Sequence, residues 1–102
     1  MGLDQYLYER TPRLDDPLEI AKDEIAYWRK DWDLQQFLNT GNGEVLDLTE
    51  EICDDVLSNL DNMYLDIDPD NRERLQALTE QAFIKAKELL AQNKRITYEP
   101  DW

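Results

Sequence analysis

The chain contains no histidine, one cysteine, three glycines and four prolines in 102 residues. Without histidine, the commonest general base at neutral pH is missing, and Cys53 has no imidazole to activate it as a nucleophile. A single cysteine also forms no internal disulfide, which is typical of a reducing compartment. No apolar run approaches the roughly 20 residues that a membrane-spanning helix needs, and Asp4, Glu9 and Arg10 interrupt any signal peptide.

Positive charge is scarce as well. The chain has 24 Asp and Glu residues against 11 Lys and Arg, so the formal net charge is −13 and the pI is near 4.2. A surface this negative repels a phosphate backbone, and the composition nearly excludes direct binding to nucleic acid. Apolar residues still make up 41% of the chain, which is enough for one folded domain over residues 1–102.

The negative charge is concentrated in the middle of the chain. Residues 31–71 hold twelve acidic residues and no Lys or Arg, so this stretch carries nearly all of the net charge. Two interpretations stay open: a solvated face that keeps the protein soluble, or an electronegative patch that docks a basic partner. The twelve acids are Asp31, Asp33, Glu44, Asp47, Glu50, Glu51, Asp54, Asp55, Asp61, Asp66, Asp68 and Asp70.

Alternating side chains near both ends of the chain predict strands. Residues 3–9 alternate imperfectly, with Leu, Gln and Glu on one side and Asp and Tyr on the other, and residues 95–99 alternate before Pro100 stops them. Two X-Pro pairs predict a loop over residues 10–18, and residues 44–48 read as a short extended piece. We therefore expect the terminal strands to pair, with residues 44–48 as a third strand.

Residues 18–38 are expected to form the first and central helix. At about 100° per residue, two apolar stripes run along it, Ala21, Ile25, Trp28 and Trp32 in one and Ile20, Tyr27, Leu34 and Leu38 in the other. Trp28 and Trp32 should therefore be largely buried. Glu24, Asp31 and Gln35 lie between the stripes, and buried acids need polar partners. These three residues form either a satisfied polar network or the lining of a ligand cleft.

Two further helices are predicted. Thr49 is an N-cap for a helix over residues 49–60, with Cys53 next to its buried stripe and acids on its outer side. Residues 69–93 show the clearest helical periodicity. Together these elements predict an α+β fold in which three helices pack on a small two- or three-stranded sheet that includes the N- and C-terminal strands.

One acidic pattern resembles a calcium loop. Asp66, Asp68 and Asp70 are spaced like the first ligands of such a loop, but Asn71 and Ala77 stand where a Gly and a bidentate Glu are needed. We therefore predict an ordinary turn that leads into the third helix, and no metal site.

Catalytic chemistry finds little support in the sequence. The glycines after the predicted first helix lack the Lys, Ser or Thr that a phosphate loop needs. Only carboxylate chemistry remains, with Glu24 and Asp31 beside Arg29 or Lys30 as the candidate cluster. We expect that the protein is not an enzyme and uses no cofactor.

Two segments carry a family resemblance. Residues 1–8, Met-Gly-Leu-Asp-Gln-Tyr-Leu-Tyr, and residues 24–30, Glu-Ile-Ala-Tyr-Trp-Arg-Lys, resemble a family of small bacteriophage proteins that open with Met-Gly-Leu-Asp-x-Tyr-Leu and carry a Tyr-Trp-Arg-Lys helix. Residues 94–102 are similar to the family's basic helix end and aromatic strand. The chain departs from the family at Gln35, where members have His, and in the acidic loop at residues 61–70. The resemblance implies one full-length domain, a phage origin and the host-cell cytoplasm, but no particular activity.

These observations favour a binding protein. We expect it to bind and inhibit a basic, nucleic-acid-binding host protein or defence complex, of the anti-CRISPR or anti-restriction type, because carboxylates along a helix can imitate a row of phosphates. The alternative is a phage accessory or structural protein whose acidity serves solubility alone. Neither alternative binds a membrane, and a homodimer stays open. The expected contact residues are Glu50, Glu51, Asp54, Asp55, Asp61, Asp66, Asp68 and Asp70, with Met63 and Tyr64 as anchors.

Overall fold

The computed structural model describes residues 2–12 and 20–102 and has strands and helices in mixed order. The predicted α+β class is confirmed, but the described residues form four strands and four helices instead of three helices on two or three strands. In chain order the elements are β1 (Asp4–Pro12), β2 (Ile20–Arg29), α1 (Trp32–Leu38), β3 (Leu46–Asp47), α2 (Glu50–Ser58), α3 (Leu60–Met63), α4 (Pro69–Ala91) and β4 (Arg95–Asp101).

The four strands make one antiparallel sheet in the order β2-β1-β4-β3. β1 lies inside it and pairs with β2 on one side and with β4, from the other end of the chain, on the other. The expected pairing of the terminal strands is therefore confirmed, as is a third strand within residues 44–48.

Pro100 does not stop β4. Its carbonyl accepts from the Gly43 N–H at 2.9 Å, so the side of Pro100 that lacks an N–H faces a loop rather than β1.

The helix predicted over residues 18–38 is wrong over residues 20–29, whereas residues 18 and 19 lie outside the part of the chain that the structure describes. Residues Ile20–Arg29 form β2, and only Trp32–Leu38 are helical. Leu7 pairs with Ala26 and Tyr8 with Glu24, so a bulge leaves Ile25 without a partner. This extra residue breaks the period-two alternation of β2, which is why its apolar residues fall at helical spacing. The Tyr-Trp-Arg segment expected in a helix lies in this strand.

The two tryptophans of the predicted apolar stripe have different environments. Trp28 projects from β2 into the core and is 1% exposed, as expected. Trp32 is 41% exposed, so its predicted burial is wrong. The reason is that the chain leaves β2 before this residue, so Trp32 is the first residue of α1. Its ring does not enter the core but packs edge-on against the Trp102 ring, with 5.6 Å between the ring centroids.

The later helices follow the sequence more closely. The Thr49 hydroxyl accepts from the Ile52 N–H at 3.2 Å and caps α2, and α4 covers nearly all of the predicted third helix. The acidic loop expected at residues 61–70 begins inside the short helix α3 and ends in the first turn of α4. None of the helices in the described segments is both long enough and apolar enough to cross a membrane.

The helices pack on one face of the sheet. From that face Leu7, Trp28, Ile96 and Tyr98 join helix residues such as Phe83 in one buried cluster. Cross-strand partners in a sheet share a face, so Tyr6 and Tyr27, which are register partners, lie on the other. The core therefore lies between one layer of helices and one layer of sheet.

Candidate functional site

The outer side of α2 carries a group of carboxylates. Glu50, Glu51, Asp54 and Asp55 are all exposed, while Cys53 and Val56 on the opposite side are fully buried. At about 100° per residue, the four acids span one arc of roughly 140°, away from the core. The structure therefore brings these four predicted contact residues together on one surface, which we call the acidic face.

Few cations balance the acids of residues 31–71. Between described residues, only two of the twelve take part in an ion pair: Asp54 with Lys87 and Asp47 with Arg95, each at 2.6 Å. Both pairs are well exposed, so each adds little stability. The remaining ion pairs between described residues join Arg10 and Lys22 to Glu99 on the sheet. Most of the acidic face is thus left with its full negative field.

The acids that follow α2 have more varied roles. Oδ1 of Asp61 accepts a 3.2 Å hydrogen bond from Gln76, and Asp68 caps α4 by accepting from the Asn71 N–H and side-chain amide. Those bonds hold the pKa of Asp68 below its usual range. Asp66 and Asp70 are exposed, and neither makes a side-chain hydrogen bond to a described residue. The interpretation of residues 68–71 as a turn that opens a helix is confirmed.

The two predicted apolar anchors are poorly placed for a partner. Tyr64 is fully buried, with its hydroxyl committed inside the protein, so it offers no surface in this fold. Met63 is half-buried and packs against the core. Leu65 is instead 60% exposed beside Asp66. Burial of Tyr64 depends on contacts with distant residues, and no local pattern in the sequence could have indicated it.

A buried polar network joins the sheet to the helices. Gln5 Nε2 donates to the Tyr98 hydroxyl and to the Asp31 carbonyl, both at 2.9 Å, and Oε1 of Gln5 accepts from the Asp31 N–H at 2.8 Å. The Tyr98 hydroxyl donates to Oε1 of Gln35 at 2.7 Å. The Gln35 amide in turn donates to the Thr40 carbonyl at 2.5 Å. Of the alternatives left open for Asp31 and Gln35, the structure therefore shows a satisfied network.

Asp31 is the one carboxylate in this network. It caps α1, because Oδ1 accepts from the Leu34 N–H at 3.0 Å, and Oδ2 accepts from the Tyr64 hydroxyl at 2.6 Å. The Thr79 hydroxyl bonds to the same tyrosine at 2.8 Å and accepts from the Trp28 indole at 3.0 Å. Burial raises the pKa of Asp31 above its usual range, although the hydrogen bonds from Tyr64 and Leu34 oppose that shift.

The residues considered for catalysis do not form a centre. Glu24 is exposed on β2 opposite Tyr8, on the sheet face away from the helices, whereas Asp31 is committed to the buried network. Burial raises the pKa of Cys53 to about 11, so its thiol is protonated and shielded. Within residues 2–12 and 20–102, no three Cys, Asp or Glu side chains are grouped so that they could hold a metal ion.

Comparison with known proteins adds no relative. No protein-family model, no curated protein and no solved structure matches the chain. A function for the protein therefore has to be inferred from its own surface chemistry.

Proposed function

We propose that the protein is a binding module that docks on a basic, nucleic-acid-binding protein through the acidic face and blocks the partner's nucleic-acid site. The observation that carries the proposal is the arrangement on α2. Four carboxylates point to solvent from one helix, and one cation, Lys87, pairs with one of them. Such a field speeds association with a basic surface and imitates the charge of a phosphate row.

The rigid setting of the carboxylates supports this proposal. α2 is capped by Thr49 and is anchored in the core by Cys53 and Val56, so its acids are displayed on a fixed frame. Residues four apart, such as Glu50 and Asp54, are separated by a rise of about 6 Å along the helix. The exposed Leu65 beside Asp66 supplies an apolar contact of the kind that adds specificity to a charged interface.

The resemblance to bacteriophage proteins supplies a biological setting for the proposal. In that setting the partner is a host restriction or CRISPR complex in the bacterial cytoplasm, and the protein inhibits it without catalysis. The competing proposal is an accessory or structural phage protein in which the same carboxylates only confer solubility.

Competition with DNA tests the proposal. The tagged protein is incubated with host lysate at about 50 mM and about 300 mM salt, and the captured proteins are identified. The expected partner is a DNA- or RNA-binding protein that is captured less well at high salt and is displaced by added duplex DNA. A captured protein that binds DNA and this chain at the same time would contradict the blocking role.

A charge variant makes the experiment specific to three residues of the acidic face and to Asp66, which is also one of the expected contact residues. The substitutions Glu50→Gln, Glu51→Gln, Asp55→Asn and Asp66→Asn remove four carboxylates that make no side-chain hydrogen bond or ion pair with described residues. We expect the fold to persist and salt-sensitive capture to be lost. Unchanged capture at low salt would favour the accessory-protein alternative.

A further inference from the structure

A shallow recess of about 360 Å³ lies between α2 and α4, at the edge of the acidic face. The acidic face reaches it through Glu50. Most of the surface inside the recess is apolar, in contrast to the carboxylates beside it. The residues that line it are Glu50 and Leu57 from α2 and Ile84, Lys87, Glu88 and Ala91 from α4.

Two contacts show that α2 and α4 run antiparallel along the recess. Lys87 Nζ lies 2.6 Å from Asp54 Oδ1. Gln76, about three turns earlier on α4, donates to a backbone carbonyl at the start of α3, which follows α2. Leu57 lies one turn after Asp54 and Ile84 one turn before Lys87, so these two apolar side chains lie together at one end of the recess.

Along α4 the lining follows a single stripe of the helix. Its members, from Ile84 to Ala91, are spaced at three, four and seven residues, so the recess extends over about two turns, or about 10 Å. Ile84 is 43% exposed, although it is a large apolar residue. An uncovered apolar surface rimmed by charged side chains is typical of a protein-binding site.

The charge around the recess is negative. Among the described residues that line it, Lys87 alone is basic, and Asp54 pairs with it. Glu50 and Glu88, one from each helix, form no ion pair with a described residue. A second copy of the chain would bring a net charge of −13 to this surface, so repulsion opposes self-association here. The charge therefore favours a partner that flanks an apolar side chain with Arg or Lys.

Both walls of the recess are helices, and this determines which backbone fits between them. A helix bonds its N–H and C=O groups internally, so the walls offer no row of backbone partners to an extended peptide. An incoming helix satisfies its own backbone groups and needs only side-chain contacts. Its apolar side chains, spaced at three or four residues, recur about every 5 Å and match the two-turn length of the recess.

We propose that the recess binds a short amphipathic helix of the basic partner, with its apolar stripe on Leu57 and Ile84 and its Arg or Lys side chains at Glu50 and Glu88. This inference rests on the docking function proposed above and names the segment of the partner that engages the acidic face. The recess supplies the central apolar anchor that the buried Tyr64 does not offer.

Fluorescence anisotropy with the unmodified protein tests the proposal. The probe is a labelled peptide of about 14 residues with leucine at every third or fourth position and arginine beside it, and the comparison peptide has the same composition in an order that forms no helical stripe. The expected result in about 0.15 M salt is saturable binding of one amphipathic peptide, at least tenfold tighter than the comparison peptide. Equal affinities would mean that charge alone holds the peptide and would overturn the proposal.

Two substitutions in the recess are each compared with a matched control. Ile84→Ser removes apolar surface, and Val45→Ser changes a residue that does not line the recess and is 44% exposed, against 43% for Ile84. Ala91→Phe fills the recess, and Ala77→Phe adds the same ring at an exposed position of α4 outside it. Each recess variant should bind the amphipathic peptide at least tenfold more weakly, with its melting temperature nearly unchanged, while the controls keep full affinity. Unchanged affinity in both recess variants, or equal losses in their controls, would overturn the proposal.

The same variants separate this inference from the docking function. Suppose that the partner captured from lysate binds Ile84→Ser as tightly as the unmodified protein but is lost from the variant with four substituted carboxylates. The assignment of the recess would then be wrong, and docking through the acidic face would stand. Unchanged capture by the carboxylate variant would instead contradict the docking function itself. A dimer of the protein in analytical ultracentrifugation that Ile84→Ser dissociates would make a second copy the occupant and would also overturn the proposal.

Discussion

The hydroxyl of Tyr64 donates a 2.6 Å hydrogen bond to the carboxylate of Asp31, which lies 33 residues earlier in the chain. Both residues are buried, and Asp31 at the same time caps α1 through the Leu34 N–H. The pair ties the first helix to the segment after α3, so a buried carboxyl group within the helix–sheet core fixes how two parts of the chain meet. Removing either partner would leave a buried polar group unsatisfied.

The buried carboxyl of Asp31 predicts a pH-dependent contribution to stability. Because burial raises its pKa, the folded protein holds this proton more strongly than the unfolded chain. Asp31 therefore makes its full contribution to the free energy of unfolding below the ordinary carboxyl pKa of about 3.9. This contribution is lost as the pH rises through the raised pKa of the folded protein. We therefore expect the free energy of unfolding of Asp31→Asn, compared with that of the unmodified protein in urea, to rise as the pH increases from the ordinary to the raised pKa. A difference that falls with pH would contradict this assignment.

The two tryptophans predict a contrast in stability. Trp28 is buried, packs 6.0 Å from the Phe83 ring and donates to the Thr79 hydroxyl, so Trp28→Ala should cost about 3–5 kcal/mol. A domain with about 5–10 kcal/mol of total stability would barely survive that loss. Trp32→Ala should cost about 1 kcal/mol or less, because its ring is 41% exposed. Equal losses in denaturant unfolding would mean that Trp32 is part of the core.

The sequence predicts the parts of this fold that have strong local signals. The cap at Thr49, the long periodicity of α4 and the alternation in β1 all correspond to observed elements. β2 was missed because its identity depends on pairing with β1, and the bulge at Ile25 hides its alternation. One local signal was available: Asp31 stands three residues before Leu34, as an N-cap does, and indicates a helix that begins there.

The candidate site was predicted in part. Exposure of the α2 acids follows from the helical wheel and is observed. The burial of Tyr64 depends on how distant segments pack, so periodicity within one segment does not reveal it.

The acids at the start of α4 predict unequal effects of similar substitutions. Asp68 caps the helix, so Asp68→Ala should lower the free energy of unfolding by about 1 kcal/mol. Asp66→Ala should leave stability within about 0.5 kcal/mol, because this side chain is exposed and uncommitted. Calcium should leave the melting temperature of the unmodified protein nearly unchanged, beyond the screening that any divalent ion provides. A saturable micromolar calcium transition that Asp66→Ala abolishes would contradict the interpretation of this segment as a turn.

Cys53 should be inert to alkylation in the folded protein. Burial raises its pKa to about 11, and the side chain is fully buried. At pH 8 the thiolate fraction alone makes iodoacetamide labelling roughly two orders of magnitude slower than in the unfolded chain, and shielding slows it further. Mass spectrometry of labelled samples with and without urea measures both rates. Comparable rates in the two samples would mean that α2 opens readily.

The most direct test of the central claim compares two variants of equal net charge. The first carries Glu50→Gln, Glu51→Gln, Asp55→Asn and Asp66→Asn. The control carries Asp23→Asn, Glu24→Gln, Glu73→Gln and Glu80→Gln, four exposed acids outside the acidic face. Both have a net charge four units less negative than the unmodified protein, so a difference between them reports the position of the charge.

The measurement is the association rate of each variant with the captured partner at about 50 mM salt, beside a melting curve for each. If the acidic face docks the partner, the first variant should associate at least tenfold more slowly, while the control stays within about threefold of the unmodified protein. The melting temperature of the first variant should hold or rise, because repulsion between its carboxylates is relieved. Equal association rates for the two variants would contradict the claim and leave the acidic face a solvated surface.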